Sequence, residues 1–280
     1  MNRIRRLLSD SLAIILHPSA LGRFALLTTF LRLEFKRTFL VDLFGVRPES
    51  ETVFGQKMYF SDYGIFTLVF NEVFVTGAYY FKARNPKPAI VDGGANIGMA
   101  TAYFKALYPG CKVMAFEPNQ RNFELLQQTV KANNWIGVEL YPYGLHRTAG
   151  ELWFFDYNGQ PGSLSGGFWE PAEAGPAKSK TMVQTVPLSE YIKEDVDLLK
   201  LDVEGSEGAI LEDLEATGKL SRVKQIIGEY HHHVNPDEDK LGGFLSLLER
   251  SGFGYHFRSV FPLPFPEKQT QDFMFSAYRK

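Results

Sequence analysis

The sequence has one cysteine, no long apolar run and no excess of either charge. Cys111 cannot form an intramolecular disulfide, and its apolar neighbours predict a small core residue in a reducing, cytoplasmic compartment. The formal net charge of -2 gives no overall basic field, so nucleic acid is not the expected partner. A chain of 280 residues can bury one sizeable core, or one core and a smaller lobe.

The N-terminal segment is the part of the sequence that could target the chain to a membrane or bind one. Three arginines precede a largely apolar stretch at residues 7–16, but Asp10 interrupts it and no small-residue cleavage site follows, so a signal peptide is not predicted. No apolar run reaches about 18 residues, which argues against a transmembrane helix. We predict that residues 4–39 form a helical lobe packed on the main domain. The alternative is a basic amphipathic helix making peripheral contact with a membrane.

From Ala89 onward, short apolar runs alternate with helical patterns. This alternation predicts a doubly wound, mostly parallel α/β sheet. The predicted strands are residues 89–91, 112–116, 137–141, 151–157, 181–186, 196–203 and 223–230, with a closing pair at 255–257 and 272–278. The predicted helices are residues 99–108, a helix capped by Asn119, 206–214 and 237–251. Residues 63–80 fit a helix or a strand equally, and the Gly- and Pro-rich residues 158–180 are predicted to form a surface loop or lid.

A glycine-rich turn, residues 92–98, follows the first predicted strand of the sheet. Open α/β sheets bind nucleotides at this edge, where glycines let the backbone approach a ligand closely. Asn96 replaces a glycine in the turn, and asparagine tolerates left-handed backbone angles better than most residues. Glu117 ends the next strand, where a carboxylate can accept both hydroxyls of a ribose.

Two ligands fit this turn, a nicotinamide dinucleotide and S-adenosylmethionine. The dinucleotide fingerprint needs glycines spaced two and then three positions apart, whereas Gly94 and Gly98 are four apart with Asn96 between them. Asp92 opens the turn with an anion, which is unfavourable for a pyrophosphate but suits an ammonium and a sulfonium. The sequence therefore predicts S-adenosylmethionine, with a nicotinamide-dependent oxidoreductase as the alternative.

The strand at residues 198–204 carries ionisable side chains where a central parallel strand is normally apolar. Strand alternation would place Lys200, Asp202 and Glu204 on one face. Glu229 and His231 end the next strand and are expected to emerge beside Asp202 and Glu204. We expect an acceptor hydroxyl to bind there, with His231 or Asp202 as its base and the two glutamates orienting it. For Lys200, a structural ion pair with Glu229 is the alternative.

The sequence leaves open whether a metal binds and what Tyr79 and Tyr143 do. A divalent cation held by His231 and the three carboxylates would acidify an acceptor hydroxyl, but the prediction without a metal is favoured. Adjacent His231 and His232 point to opposite sides of a strand, so they are not expected to share an ion.

Tyr79 would cover the cofactor or belong to the core, and Tyr143 lies near the expected position of the adenine.

Three motifs together resemble the FkbM family of methyltransferases: residues 91–98, residues 116–119 and residues 199–207. Ser61-Asp62, Tyr79 and Tyr143-Gly144-Leu145 fit the same pattern, whereas Gly93 stands where an apolar residue is usual. The resemblance runs from about Asp62 to Tyr230. It implies a Rossmann-like class I methyltransferase fold and O-methylation of a hydroxyl on a sugar, glycan or secondary metabolite with S-adenosylmethionine. The expected domains are an N-terminal helical lobe over residues 1–60 and a methyltransferase domain over residues 61–280.

The expected site has two parts. The cofactor is expected to contact Asp92, Gly93, Gly94, Ala95, Asn96, Gly98, Glu117, Asn119, Tyr143, Gly144 and Asp202. The catalytic residues are expected to be Lys200, Asp202, Glu204, Glu229 and His231. A cofactor-binding domain without catalysis is the remaining alternative, and the retention of all these ionisable groups argues against it.

Overall fold

The computed structural model describes residues 3–16, 21–156, 166–168, 178–235, 238–259 and 271–280. The helices in chain order are α1 (Arg3–Leu16), α2 (Arg23–Lys36), α3 (Tyr63–Phe70), α4 (Met99–Leu107), α5 (Gln120–Ala132), α6 (Glu207–Ala216) and α7 (Leu241–Arg250). The strands are β1 (Ser50–Val53), β2 (Gln56–Tyr59), β3 (Ala89–Gly93), β4 (Lys112–Phe116), β5 (Val138–Tyr141), β6 (Gly144–Leu145), β7 (Gly150–Asp156), β8 (Gly166–Gly167), β9 (Ser179–Val186), β10 (Leu198–Leu201), β11 (Gln225–His232), β12 (Phe253–Arg258) and β13 (Gln271–Arg279).

Seven of these strands form the central sheet, in the order β12-β13-β11-β10-β3-β4-β5. Strands β11, β10, β3, β4 and β5 are parallel, and β13 pairs antiparallel with both β11 and β12. The chain order reverses direction between β3 and β10, so the carboxyl ends of these two strands lie side by side. Open α/β sheets bind ligands at such a point. The predicted α/β fold is confirmed, including the closing antiparallel pair.

A second sheet of four short strands, in the order β6-β9-β7-β8, lies outside the central one. Strands at residues 151–157 and 181–186 were expected, and β7 and β9 confirm them as an antiparallel pair. Their separation into a sheet of their own was not expected, because strand periodicity does not reveal the pairing partner. Within the predicted lid at residues 158–180, β8 and the first residues of β9 are extended; residues 158–165 and 169–177 lie outside the described residues.

The region before Ala89 is mainly helical. Helix α2 continues as a π-helix at Arg37–Leu43, and α3 continues as a second π-helix at Asn71–Val75, which resolves the ambiguity at residues 63–80 in favour of helix up to Val75. Leu26, Phe30 and Leu33 of α2 belong to the same hydrophobic cluster as side chains of β3 and α4. The cluster is continuous across residue 60, and the proposed domain boundary there stays a prediction. No helix in the described ranges is long and apolar enough to cross a membrane.

One element boundary near the site differs from prediction. Strand β10 ends at Leu201, whereas a strand up to Val203 was expected. The chain turns there because Glu204 (φ 55°) and Gly205 (φ 103°) both adopt left-handed backbone angles. The predicted alternation of side chains therefore fails after Leu201, and both Asp202 and Glu204 lie in the connection to α6. Helix α7 begins at Leu241, within the range predicted for it.

Candidate active site

The turn between β3 and α4 packs directly against the end of β10. Gly94 has φ 75°, and a Cβ there would lie 1.8 Å from the carbonyl oxygen of Asp202, so only glycine fits. Asn96 has φ 50°, as its residue type predicted. Gly98 precedes α4 with φ 91°, and a Cβ there would lie 2.7 Å from Leu126 Cδ1. The glycines thus allow this close packing.

Glu117 directly follows β4, and its carboxylate accepts hydrogen bonds from the turn and from the start of α5. Its Oε2 accepts a 2.8 Å hydrogen bond from the Asn96 backbone N–H, and its Oε1 accepts one of 2.8 Å from the Asn119 N–H. Burial raises the pKa of Glu117 to about 7, although these two N–H groups lower it. Asn119 caps α5 as predicted, accepting from the backbone N–H groups of Arg121 and Asn122.

The turn and Glu117 form one side of a pocket of about 1040 Å³, its open mouth included. Most predicted cofactor residues line the pocket: Gly94, Ala95, Asn96, Glu117, Asn119, Tyr143, Gly144 and Asp202. Lys200, Glu204 and Glu229, predicted as catalytic, line it as well. Asp92, Gly93, Gly98 and His231 do not belong to its lining.

Asp92 does not have the position expected for it. Its side chain is fully buried, its Oδ2 accepts a 2.6 Å hydrogen bond from the Thr101 hydroxyl, and its Oδ1 lies 3.3 Å from Lys200 Nζ. Lys200 also donates hydrogen bonds to the carbonyls of Gly93 (3.1 Å) and Gly94 (2.7 Å). The structure thus places Asp92 behind the wall of the pocket, and its direct contact with the cofactor stays a prediction. Asp92 holds the ammonium of Lys200, which reaches the pocket.

Lys200 was predicted either to act in catalysis or to pair with Glu229, and its ion pairs are with other carboxylates. Its Nζ lies 3.3 Å from Asp92 and 3.7 Å from Asp202 Oδ2. Burial lowers the pKa of Lys200, but Asp92 and Asp202 outweigh it and raise the pKa above its ordinary value. Lys200 therefore remains an ammonium, and the suggested pairing with Glu229 is wrong because β10 places Lys200 toward the glycine turn.

Gly93 and Gly98 are packing residues. A Cβ on Gly93 would lie 3.1 Å from Leu145 Cδ1 and 3.2 Å from the carbonyl oxygen of Lys200. An apolar side chain, which the family pattern has here, would need these neighbours to move. Neither Gly93 nor Gly98 lines the pocket, and their contact with the cofactor stays a prediction.

The predicted gathering of Asp202, Glu204, Glu229 and His231 is observed. Asp202, Glu229 and His231 each place a potential ligand atom within 4.8 Å of the others. His231 lies between two glutamates, with Nδ1 2.9 Å from Glu207 Oε1 and Nε2 3.4 Å from Glu204 Oε2. Asp202 and Glu204 follow the end of β10, and Glu229 and His231 lie near the end of β11, its neighbour in the sheet.

The electrostatics of this cluster disfavour His231 as a base. Burial lowers the pKa of His231, but the carboxylates of Glu207 and Glu204 together raise it well above its ordinary value. His231 is therefore an imidazolium at neutral pH and has no free lone pair to accept a proton. It also lines a second depression, with His232 and His233, rather than the pocket itself.

Glu229 and Glu204 hold protons more strongly than ordinary glutamates. Burial and the nearby Asp202 raise the pKa of Glu229 to about 7. Burial raises the pKa of Glu204 to about 8, partly opposed by His231. A carboxylate with a pKa close to the working pH is suited to take a proton from a bound hydroxyl. On this ground Glu229 is a better candidate base than His231.

Two glutamates of the site were not predicted. Glu72 lines the pocket from the π-helix after α3, and burial and Asp202 raise its pKa. The sequence signal was a carboxylate inside an apolar run, which often marks a buried, functional group. Glu207 is 1% exposed and accepts from the backbone N–H groups of Val203 and Gly205 besides contacting His231. Glu207 closes the family-like motif at residues 199–207, but no role was assigned to it from the sequence.

The small second sheet closes the pocket on the side of Glu204. Phe154, Asp156, Gly166 and Phe168 from this sheet or beside it line the pocket. A Cβ on Gly167 of β8 would lie 2.8 Å from the carbonyl oxygen of Glu204, so β8 touches the turn after β10.

A family model described as the methyltransferase FkbM domain matches residues 92–256, which is more than half of the chain. The chain belongs to the FkbM methyltransferase family. The family expected from the three sequence motifs is thereby confirmed, and the expected cofactor, S-adenosylmethionine, agrees with it. Membership also sets aside the nicotinamide-dependent oxidoreductase.

Two curated fungal proteins are similar to this member of the FkbM family. It is 29% identical over 169 residues to Methyltransferase 1 of Beauveria bassiana, covering 52% of this chain and 66% of the relative. It is 28% identical over 176 residues to Methyltransferase sdnD of Sordaria araneosa, covering 52% and 68%. The crystal structure of methyltransferase FkbM from Methylobacillus flagellatus has 17% identity and a TM-score of 0.48, covering 73% of this chain and 46% of that one. The chain thus spans about two thirds of its curated relatives' length.

Proposed function

We propose that the chain transfers a methyl group from S-adenosylmethionine to a hydroxyl of a sugar, glycan or secondary metabolite. The observation that carries this proposal is a single pocket with two chemically different sides. The glycine turn and Glu117 line one side, Glu229 and Glu204 are assigned to the other, and Asp202, whose carbonyl oxygen abuts Gly94, is shared between them. A donor and an acceptor could therefore bind in one cavity with their reacting atoms adjacent.

The residues on the turn side fit the donor. Gly94 has no side chain to obstruct the approach of a ligand to the loop backbone, and the Glu117 carboxylate lines the same cavity. Each Glu117 oxygen accepts one backbone N–H and retains capacity for a ribose hydroxyl. Carboxylates of Asp202 and Glu72 provide negative charge for the donor's cationic groups. When bound, the donor supplies an electrophilic methyl group on a sulfonium.

The residues on the opposite side fit an oxygen acceptor. A hydroxyl is a weak nucleophile until a base removes its proton. Glu229, with a pKa of about 7, is the proposed base, and Asp202 is proposed to orient the hydroxyl as an acceptor of its hydrogen bond. Tyr79 and Lys200 hold Asp202 in place through a hydrogen bond of 2.8 Å and an ion pair of 3.7 Å. Holding the donor methyl group and the acceptor hydroxyl in line is expected to supply much of the rate acceleration.

A divalent cation among Asp202, Glu229 and His231 is a weaker proposal. Their potential ligand atoms lie within 4.8 Å of one another. However, both ring nitrogens of His231 already lie near glutamate oxygens, and its raised pKa favours the imidazolium, which cannot ligate a metal. The proposed reaction therefore needs no metal. The buried thiol of Cys111 is compatible with the cytoplasmic location that we include in the proposal.

The test has a binding part and a transfer part. Calorimetric titration with S-adenosylmethionine is expected to give one site per chain. Extract fractions of small molecules and glycans, incubated with the protein and a methyl-labelled donor, are expected to contain a labelled product whose methyl group is on oxygen by mass spectrometry. Absence of donor binding, or a methyl group on nitrogen or carbon, would contradict the proposal. Donor binding without transfer to any fraction would favour the non-catalytic alternative.

Glu229→Gln tests the proposed base, with Glu139→Gln as the matched control. We expect Glu229→Gln to slow transfer by roughly 100-fold or more and to leave the donor dissociation constant within about threefold. Glu139 is an exposed glutamate that accepts a hydrogen bond from Tyr141, and its substitution is expected to change neither quantity. Wild-type turnover should rise with pH through about 7, because the base must be ionised.

A further inference from the structure

The N-terminal helices expose most of the large apolar side chains on the described surface. Of eighteen such exposed side chains among the described residues, twelve belong to residues 8–46: Leu8, Leu12, Ile15, Leu16, Phe24, Leu31, Phe35, Phe39, Leu40, Leu43, Phe44 and Val46. We call these twelve side chains the N-terminal apolar surface. A large exposed apolar patch of this kind marks a site of interaction with a protein, a membrane or a ligand.

In helix α1 the exposed side chains follow helical spacing. Leu8, Leu12, Ile15 and Leu16 recur at positions i, i+4, i+7 and i+8, and they are 49–64% exposed. Ile14, on the opposite side, is buried in the core. An apolar stripe with this spacing normally faces the inside of a protein. In α1 it faces away from the other described residues.

Helix α2 is apolar on both sides. Leu26, Phe30 and Leu33 are buried, with at most 2% exposure, and they attach the helix to the core. Phe24 and Phe35 point outward and are 80% and 59% exposed. Arg23, Arg32 and Lys36 lie in the same helix, so α2 combines exposed apolar side chains with basic ones. Within the described residues, only the inner side of α2 is covered.

The segment after α2 extends the same surface. Leu43 and Phe44, at the end of the π-helix, are 67% and 70% exposed. Phe39 and Phe35 contact each other with ring centroids 4.5 Å apart, so the outward side chains of the two helical segments are continuous.

The charge of this region is opposite to that of the remaining chain. Residues 1–47 contain eight basic residues (Arg3, Arg5, Arg6, Arg23, Arg32, Lys36, Arg37 and Arg47) and three acidic ones (Asp10, Glu34 and Asp42). The segment thus has a net charge of +5 in a chain of net charge -2. Arg32 and Lys36 contact Glu51, yet their side chains remain 41% and 36% exposed.

We infer that the N-terminal apolar surface binds peripherally to a membrane containing anionic lipids. Helices that lie in a membrane interface combine an apolar face with basic residues, and anionic lipid headgroups attract the latter. A second copy of the chain is a less suitable occupant, because two segments of net charge +5 would repel each other. None of the described helices crosses a bilayer, so the binding is to one leaflet. The inference requires neither the donor nor the acceptor and does not depend on the proposed function.

The surface is connected to the pocket through packed elements. Helix α2 packs against the π-helix at Asn71–Val75, and Glu72 and Val73 of that π-helix line the pocket. Membrane binding would therefore hold the wall of the pocket close to the lipid surface.

The inference is tested by cosedimentation of the full chain with vesicles. One vesicle preparation contains phosphatidylcholine alone, and the other contains phosphatidylcholine with phosphatidylserine. The test variant combines Phe24→Ser, Phe35→Ser, Leu43→Ser and Phe44→Ser, all at strongly exposed positions. The matched control is Ile136→Ser, a change at an apolar side chain that is 90% exposed but far along the chain from this surface.

We expect wild type and Ile136→Ser to bind phosphatidylserine vesicles at least about tenfold more tightly than phosphatidylcholine vesicles, and less tightly in high salt. The fourfold variant should lose at least about tenfold in affinity. Circular dichroism and donor titration verify that it remains folded. The inference is overturned if wild type does not bind the anionic vesicles. It is also overturned if the fourfold variant binds as well as wild type, or if its only effect is to dissociate a dimer in analytical ultracentrifugation.

Discussion

The phenol of Tyr79 donates a 2.8 Å hydrogen bond to Oδ2 of Asp202, a residue 123 positions further along the chain. Lys200 Nζ lies 3.7 Å from the same oxygen and 5.1 Å from the centroid of the Tyr79 ring. Burial, together with Asp202, raises the pKa of Tyr79 well above its ordinary value, so the phenol keeps its proton and remains a donor. One carboxylate is thus oriented from two sides, by a neutral phenol and by an ammonium.

Tyr79→Phe removes this donor while keeping the ring. We expect the free energy of unfolding to fall by about 1–3 kcal/mol, because a hydrogen bond to a charged group is lost. We also expect methyl transfer to slow by roughly tenfold as Asp202 loses its orientation. Urea denaturation and labelled methyl transfer measure the two effects. The control is Tyr80→Phe, at a neighbouring tyrosine that is 48% exposed. Similar losses in both variants would show that the Tyr79–Asp202 bond has no special role.

Gly94→Ala tests the contact between the glycine turn and β10. The new Cβ would lie 1.8 Å from the Asp202 carbonyl oxygen, and the backbone has φ 75°, so the turn must move. We expect loss of detectable donor binding in calorimetry and a destabilisation above about 1 kcal/mol. Gly208→Ala is the control, since a Cβ there meets nothing within 4 Å in α6. Unchanged donor affinity in Gly94→Ala would exclude the turn from the donor site.

Lys200→Met leaves the Asp92 carboxylate without its cation in a fully buried position. We expect a destabilisation of about 3–5 kcal/mol, measured by urea unfolding, because removing one partner of a buried pair leaves an uncompensated charge. Lys224→Met is the matched control: Lys224 pairs with Asp197 at 3.0 Å, but its side chain is 42% exposed. That change should cost below about 1 kcal/mol. A small effect for Lys200→Met would mean that the Asp92–Lys200 ion pair does not stabilise the fold.

The pH dependence of stability tests the burial of Glu117. Its folded pKa of about 7 lies above its ordinary value of 4.5, so the folded state binds more protons than the unfolded state between these pH values. The free energy of unfolding should therefore fall as pH rises from 5 to 8, with this glutamate contributing about 1–3 kcal/mol. Glu117→Gln should flatten this slope, measured by urea denaturation at several pH values. An equally steep slope in the variant would assign the dependence to Glu204 and Glu229 instead.

The sequence predicted the parts of the site that depend on local pattern. Hydrophobic runs predicted the central strands, and parallel pairing of β3 and β10 then required their carboxyl ends to meet, which brought Gly94 and Asp202 together. Asn119 as a helix cap followed in the same way from residue type and position. The cluster of Asp202, Glu229 and His231 followed from the neighbouring strand ends.

The parts that failed depend on side-chain direction and on contacts distant in sequence. Asp92 was expected to face the cofactor, but the sequence does not reveal that Lys200 lies between Asp92 and the pocket. The expected strand alternation does not reach Glu204, because the chain turns there with a left-handed backbone angle. No sequence signal indicated this turn, since residues other than glycine rarely adopt such angles. His231 was a natural candidate base from its ordinary pKa, and only the proximity of Glu207 reveals it as a cation.

The second sheet and the central sheet are proposed to contribute separately to binding of the acceptor and of the donor. The side of the pocket proposed for the donor comes from β3, β4 and the turns that follow them, whereas Phe154 of β7, Gly166 of β8 and the adjacent Phe168 line the pocket from the smaller sheet. Because β7 and β9 pair with each other rather than with the central strands, their outward connections can vary in length without disturbing the core. Diversification of acceptor preference among related enzymes would accordingly concentrate in this sheet, with the donor half held constant.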